Sequence, residues 1–166
     1  MESLPSGNTG SQSHGGYLQL IMGPMFSGKT SKILSVYRQL LLCGVETLVV
    51  NYAEDKRYSD SQLSTHDKTM IPCIFINKLS ELNEQYSERL EQSGAILINE
   101  GQFFPDICEW TEEMVDKEQK KIYICGLDGD FRRKKFGSWL NLIPLADDVV
   151  KLKSICPLCK NGTAGL

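Results

Sequence analysis

Gly23-Pro24-Met25-Phe26-Ser27-Gly28-Lys29-Thr30 decides the fold of this 166-residue chain. The stretch has the form G-x-x-x-x-G-K-[ST]. Before it, Tyr17-Leu18-Gln19-Leu20-Ile21-Met22 reads as a buried strand; after it, Ile33, Leu34, Tyr37, Leu40 and Leu41 recur at helical spacing. The glycines therefore sit at a strand-to-helix turn, the setting in which the motif has a mechanism. Backbone N–H groups of the loop and the first helical turn point inward and, with the positive helix terminus, form an anion hole. Lys29 would reach the β- and γ-phosphates as a point charge, and the Thr30 hydroxyl would hold Mg²⁺. The plainer alternative is a glycine-rich turn with a surface lysine, and the flanks on both sides speak for a nucleoside triphosphate instead.

The totals bound what else the chain can be. Its length favours one main domain with room for a real core. A formal charge of −3 and a pI near 5.4 argue against a surface that coats nucleic acid, whereas a phosphate site needs only a local positive spot. No apolar run approaches the ~20 residues of a membrane span. Residues 1–16 are rich in Ser, Gly and Asn and lack Lys and Arg; they are expected to be a disordered tail and not a secretory signal. Six cysteines without such a signal imply reduced thiols and a cytoplasmic location. Cys43, Cys73, Cys108 and Cys125 lie in apolar segments and are expected to be small buried hydrophobes.

Further along, Gly44 is a helix stop, and Glu46-Thr47-Leu48-Val49-Val50-Asn51-Tyr52 reads as a second buried strand. Residues 51–69 form a long polar loop in which Asp55, Lys56 and Arg57 lie just past a strand end, where open parallel sheets place ligands. Pro72-Cys73-Ile74-Phe75-Ile76-Asn77 is a third strand. Ser80 is expected to cap one helix that carries Leu82, Tyr86 and Leu90 on its inner face. Ala95-Ile96-Leu97-Ile98 is an unbroken apolar run suited to a central parallel strand. Pro105 opens the next helix, with Ile107, Trp110 and Met114 facing inward, and Lys121-Ile122-Tyr123-Ile124-Cys125-Gly126-Leu127 is another strand. Strands alternating with helices imply an α/β fold: a P-loop parallel sheet with helices on both faces, over residues 17–153.

A second chemical site follows from that order. In a P-loop protein an acidic residue at the end of a later apolar strand often engages the metal. Asn99-Glu100 occupies that place, so Glu100 is either a metal partner or a general base; a plain capping role is the alternative. Gln102, Phe103 and Phe104 put a polar handle and aromatic faces beside it. Leu127-Asp128-Gly129-Asp130-Phe131-Arg132-Arg133-Lys134-Lys135-Phe136-Gly137 then arrives at the same edge. Its aromatics, Phe131 and Phe136, can stack on a nucleobase, while its four basic residues read more simply as a solvated turn.

These blocks, with Tyr52-Ala53-Glu54-Asp55-Lys56-Arg57-Tyr58-Ser59, Asn99-Glu100-Gly101-Gln102-Phe103-Phe104-Pro105-Asp106-Ile107, Asn141-Leu142-Ile143-Pro144-Leu145, Val149-Val150-Lys151-Leu152 and Cys156-x-x-Cys159, resemble the successive motifs of type II (cytosolic) thymidine kinases. The resemblance runs from Tyr17 to Cys159. It implies Mg²⁺-dependent transfer of the γ-phosphoryl of ATP to the 5′-hydroxyl of thymidine or deoxyuridine, in DNA-precursor salvage. By position, Glu100 would be the base. Gly23 to Thr30, Asp55, Lys56, Arg57, Asn99, Glu100, Gly101 and Gln102 would surround ATP. Met25, Phe103, Leu127, Phe131 and Phe136 would line the base and sugar pocket. It also implies a homotetramer with feedback inhibition by thymidine triphosphate in the acceptor site.

Two departures stand out. The family has Asp where this chain has Asn99, and an amide brings no negative charge to Mg²⁺; Asp55 or Glu100 would then supply it. Cys156 and Cys159 are half of a four-ligand zinc site, with a redox pair as the alternative. The expectation is that the second Zn²⁺-binding pair and the lasso loop lie beyond Leu166, so that residues 154–166 are only the start of a small zinc-ribbon-like domain. Rival classes are a regulatory P-loop NTPase and a kinase of another deoxynucleoside. A GTPase needs Asn-Lys-x-Asp, and Asn77-Lys78-Leu79-Ser80 has Ser where Asp is required.

Overall fold

Strand β1 (Tyr17–Met22) runs into the glycine-rich turn, and helix α1 (Lys29–Leu42) leaves it. The computed structural model describes residues 15–54, 62–64, 70–155, 158 and 160. After α1 come β2 (Thr47–Tyr52), β3 (Gln62–Ser64), β4 (Met70–Pro72), β5 (Ile74–Ile76), α2 (Ser80–Gln85) and α3 (Ser87–Gln92). Then follow β6 (Ala95–Ile98), a 3₁₀ turn (Gly101–Phe103), α4 (Ile107–Asp116), β7 (Lys121–Gly126), a 3₁₀ segment (Trp139–Leu145) and β8 (Asp148–Lys151). Six strands form one sheet in the order β5-β2-β6-β7-β1-β8, with every neighbouring pair parallel. This is the expected parallel α/β sheet.

Side-chain alternation along the strands divides the core in two. Leu18, Leu20, Leu48, Val50, Ile96, Ile98, Ile122 and Ile124 face one side and pack on Leu82, Leu90, Ile107, Trp110 and Met114 of α2, α3 and α4. Ile21, Val49, Ala95, Leu97 and Cys125 face the other and pack on Ile33, Leu34, Val36 and Leu40 of α1. Helices thus cover both faces, which is why the central strands carry near-continuous apolar runs. At the end of α1 the Val45 N–H donates to Leu40 O at 2.9 Å and the Gly44 N–H to Leu41 O at 3.0 Å. Gly44 has φ 69°, so this is a Schellman stop at the expected glycine.

Several local expectations are corrected. The single helix after residue 79 is two, broken at Tyr86 with φ −131°. Eight helical residues advance about 80° past two full turns, so an unbroken rod would splay Leu82 from Leu90; the break returns both to the core. Ser80 does not cap α2. The Asp106 carboxylate does so from across the chain, accepting the Leu79 N–H at 3.0 Å and the Ser80 N–H at 2.9 Å. Pro105 lies two residues before α4, whose N-cap is Asp106. Leu41 and Cys43 are exposed: Leu40, in the same last turn of α1, takes the place on the core face, and its neighbour Leu41 points about 100° away from it. Part of the polar stretch after β2 is a strand, since β3 pairs antiparallel with β4. Most of the tail, residues 1–16, and most of the C-terminal unit, residues 154–166, lie outside the described residues.

Asp106→Ala strands two backbone donors at the start of α2. It is expected to destabilise the protein by about 1–2 kcal/mol, read as a lower midpoint in thermal unfolding, with Asp106→Asn recovering part of the loss.

Candidate active site at the strand ends

Register brings the two chemical segments to one edge. Met22 is level with Gly126, and Ile98 is level with Ile124. Glu100 and Gly23 therefore leave the same end of the sheet, with only β7 between their strands. Two strand spacings put them roughly 10 Å apart.

The turn has the geometry its glycines require. Gly28 has φ 85°, and Phe26, a non-glycine, has φ 60°, a conformation that costs about 1–2 kcal/mol. A Cβ at Gly23 would lie 2.7 Å from Ser27 Oγ and 2.8 Å from Leu152 O, so only glycine fits there. Helix α1 starts with no side-chain cap and no carboxylate in its first turn, which leaves its positive end for an anion. Lys29 Nζ donates to Pro24 O at 2.7 Å and arches over the loop. Among the described residues the buried Ser27 hydroxyl has no hydrogen-bond partner, an unmet polar group within the anion-seeking turn.

Glu100 also adopts a left-handed backbone, φ 57°, and is only 7% exposed. Strain of this kind at a buried carboxylate marks a candidate functional position. Its Oε2 accepts from Gln102 Nε2 at 2.6 Å, and Gln102 Oε1 accepts the Leu127 N–H at 3.0 Å. The Leu127 carbonyl in turn accepts from Trp139 Nε1 at 2.9 Å. Beside this chain stands an aromatic wall. Phe103 stacks on Tyr52 with centroids 5.2 Å apart and meets Phe136 edge-on at 5.5 Å. Sequence reasoning missed Tyr52, although its place at the end of β2, on this same edge, was the available signal.

Phe131 takes no part in that wall's ring contacts. It is 87% exposed, at the tip of a turn in which Asp130 Oδ1 accepts the Arg132 and Lys134 N–H groups, and the Arg132 guanidinium lies 5.1 Å from its ring centre. Met25 is exposed as well. Asp55, Lys56 and Arg57 fall outside the described residues, as do Cys156 and Cys159. Among the described residues, no group of three or more His, Cys, Asp or Glu is arranged to hold a metal ion.

Asn99 does not present its amide to the turn alone. On the α1 face, Asn99 Nδ2 donates to Asn51 Oδ1 at 3.0 Å and Asn99 Oδ1 accepts from Cys125 Sγ at 2.9 Å. All three residues are buried. Burial first, then the Glu100 charge, push the Cys125 thiol from 9.0 up to about 12, against the opposing pull of Lys29 and of a hydrogen bond from the Glu100 backbone. Both Glu100 and Lys29 thus act on one buried thiol, consistent with the register. In the folded protein Cys125 is expected to resist alkylation at pH 8 while exposed Cys43 reacts, as peptide mapping after iodoacetamide would show. The folded thiol stays protonated where the unfolded one ionises, so its contribution to stability is complete below pH 9 and is lost as pH rises toward 12.

The comparisons with known proteins agree with this geometry. The family profile described as "Thymidine kinase" matches residues 16–165. The chain is 44% identical over 144 residues to "Thymidine kinase, cytosolic" of Gallus gallus, covering 87% of this chain and 62% of that one. It is 42% identical over 144 residues to the protein of the same name in Cricetulus griseus, covering 87% and 59%. To the "Thymidine kinase" of Monkeypox virus it is 40% identical over 146 residues, covering 88% and 79%. The chain therefore spans about three-fifths of the length of these two animal proteins and about four-fifths of this viral one. A glycine-rich turn and a strained, buried glutamate on one sheet edge, carried by a sequence that matches the profile almost end to end, establish that this chain belongs to the thymidine kinase family.

Proposed function

We propose that the protein transfers the γ-phosphoryl group of ATP to the 5′-hydroxyl of thymidine or deoxyuridine. The observation that carries this reading is the shared strand-end edge: the Gly23–Thr30 turn and Glu100 flank β7, with the Tyr52–Phe103–Phe136 wall beside them. The triphosphate would sit in the turn, drawing Lys29 Nζ off Pro24 O and meeting the unpaired Ser27 hydroxyl. Glu100 would accept the proton of the 5′-hydroxyl as the nucleoside oxygen approaches phosphorus. Because the transition state of phosphoryl transfer is loose, most of the acceleration comes from positioning and charge neutralisation. The aromatic wall orients the nucleoside, and the buried position of Glu100 keeps water from competing for the phosphoryl group.

Mg²⁺ fits this site as a companion of ATP and not as a resident of a protein cage. It keeps several waters and takes few protein ligands, and the Thr30 hydroxyl is the residue that would hold it. Bound there, it would neutralise charge on the β- and γ-phosphates. Asn99 has its amide committed to Asn51 and Cys125 and suits a supporting role. The same reading gives Cys156 and Cys159 to a Zn²⁺ site, assigns a homotetramer with inhibition by thymidine triphosphate at the acceptor site, and places the protein in the cytoplasm. Among the described residues no helix is long and apolar enough to cross a membrane.

Transfer of labelled phosphate from ATP to a nucleoside panel tests the reading. Thymidine and deoxyuridine are expected to give monophosphates, with deoxyadenosine and deoxyguanosine inert. ATP hydrolysis that ignores every nucleoside would favour a regulatory NTPase instead, and a purine preference would reassign the acceptor.

A further inference from the structure

We propose that Gln102 is a positioning residue for Glu100: its amide sets the plane of the Glu100 carboxylate and locks it to the backbone of Leu127. The inference rests on Glu100 being the proton acceptor described above. Both ends of the amide are used within the protein. Nε2 donates to Glu100 Oε2 at 2.6 Å, and Oε1 accepts the Leu127 N–H at 3.0 Å. At 5% exposure the bond to the carboxylate is charge-assisted and shielded from water, the class of hydrogen bond that holds geometry most firmly.

The surroundings are shaped around this side chain. A Cβ at Gly126 would come within 2.5 Å of Gln102 Oε1 and 3.1 Å of the Trp139 ring. Gly137, at φ 73°, has its missing Cβ 2.3 Å from Gln102 O. Gly126 thus makes room for the glutamine side chain and Gly137 for the Gln102 backbone carbonyl, while Trp139 Nε1 holds the Leu127 carbonyl. Each end of the amide keeps one further hydrogen-bonding position, and the two bonds in use join the base to a residue beside the aromatic wall, so that nucleoside position and carboxylate orientation are set together. A carboxylate on a left-handed backbone gains its orientation from such a neighbour.

Two substitutions separate this role from simple packing. Gln102→Glu keeps the size and the acceptor for the Leu127 N–H but sets two carboxylate oxygens face to face. It is expected to lower kcat by about ten- to a hundredfold, the worth of one charge-assisted hydrogen bond, with KM for ATP and thymidine within about threefold. A packing role alone would leave kcat at the wild-type value, and that result would overturn the proposal. Gln102→Met removes both bonds. It should lower kcat in the wild-type background and have under about threefold effect once Glu100→Ala is present, because neighbours that act as a unit are not additive. An equal loss in both backgrounds would also overturn it. Thermal melting checks that each variant folds, and if Gln102→Met does not, Gln102→Glu decides. Glu100→Ala at wild-type turnover would refute the proton-acceptor reading itself, whereas loss in Glu100→Ala with wild-type kcat in Gln102→Glu refutes the role of Gln102 alone.

Discussion

Glu100→Ala is expected to lower kcat by about 10²- to 10⁴-fold, the usual span for removing a general base, while KM for ATP stays within about threefold. The split follows from geometry. Glu100 lies just past β6 and the phosphate turn just past β1, with β7 between the two strands, so on the proposed reading the carboxylate would meet the acceptor hydroxyl while the turn holds the triphosphate. Alanine keeps the Cβ on the left-handed backbone at this position, so a melt beside the kinetics separates any loss of stability from the loss of turnover. Steady-state kinetics with ATP and thymidine varied in turn, beside a thermal melt, make the check. Turnover near wild type would remove Glu100 from the chemistry.

Lys29→Ala is expected to act on both parameters. On the proposed reading the ammonium would face the β- and γ-phosphates in the ground state and the charge developing in transfer, so KM for ATP should rise and kcat should fall. The combined loss in kcat/KM is about 10³-fold or more, since removing a single preorganised donor already costs 10²- to 10³-fold. Lys29→Arg should recover little, because a planar fork does not fit where a compact ammonium arches to Pro24 O at 2.7 Å. Nucleotide binding followed by calorimetry separates the two components. Unchanged ATP affinity in Lys29→Ala would mean that the lysine serves only its own loop.

Much of this was legible from local pattern. The turn is flanked by a strand and a helix whose periods differ, and Ala95-Ile96-Leu97-Ile98 is apolar on both faces because it lies in the middle of the sheet. What escaped the sequence depends on residues far apart in the chain. Asp106 caps a helix that begins 26 residues earlier, so nothing near Ser80 reveals the partner. Strand β8 is mostly exposed and, among the described strands, pairs with β1 alone, so its Asp148-Val149-Val150-Lys151 run carries little of the apolar pattern that marks a strand. The commitment of Asn99 to Asn51 and Cys125, like that of Gln102 to Leu127, appears only once β2, β6 and β7 lie side by side. Phe131 and Phe136 look equivalent in sequence. The Asp130 turn sends one out to solvent while the other reaches Phe103.

The placement of β1 has a consequence for biosynthesis. Its only neighbours are β7 and β8, which leave the ribosome about a hundred residues later. At 5–20 residues per second, the first strand waits roughly 5–20 s for a partner, its apolar edge open to chaperones. A ribosome-stalled chain that ends before β7 is therefore expected to gain no protease protection from added ATP, and one that has released β8 to gain it in full. Nucleotide can rescue only late nascent species.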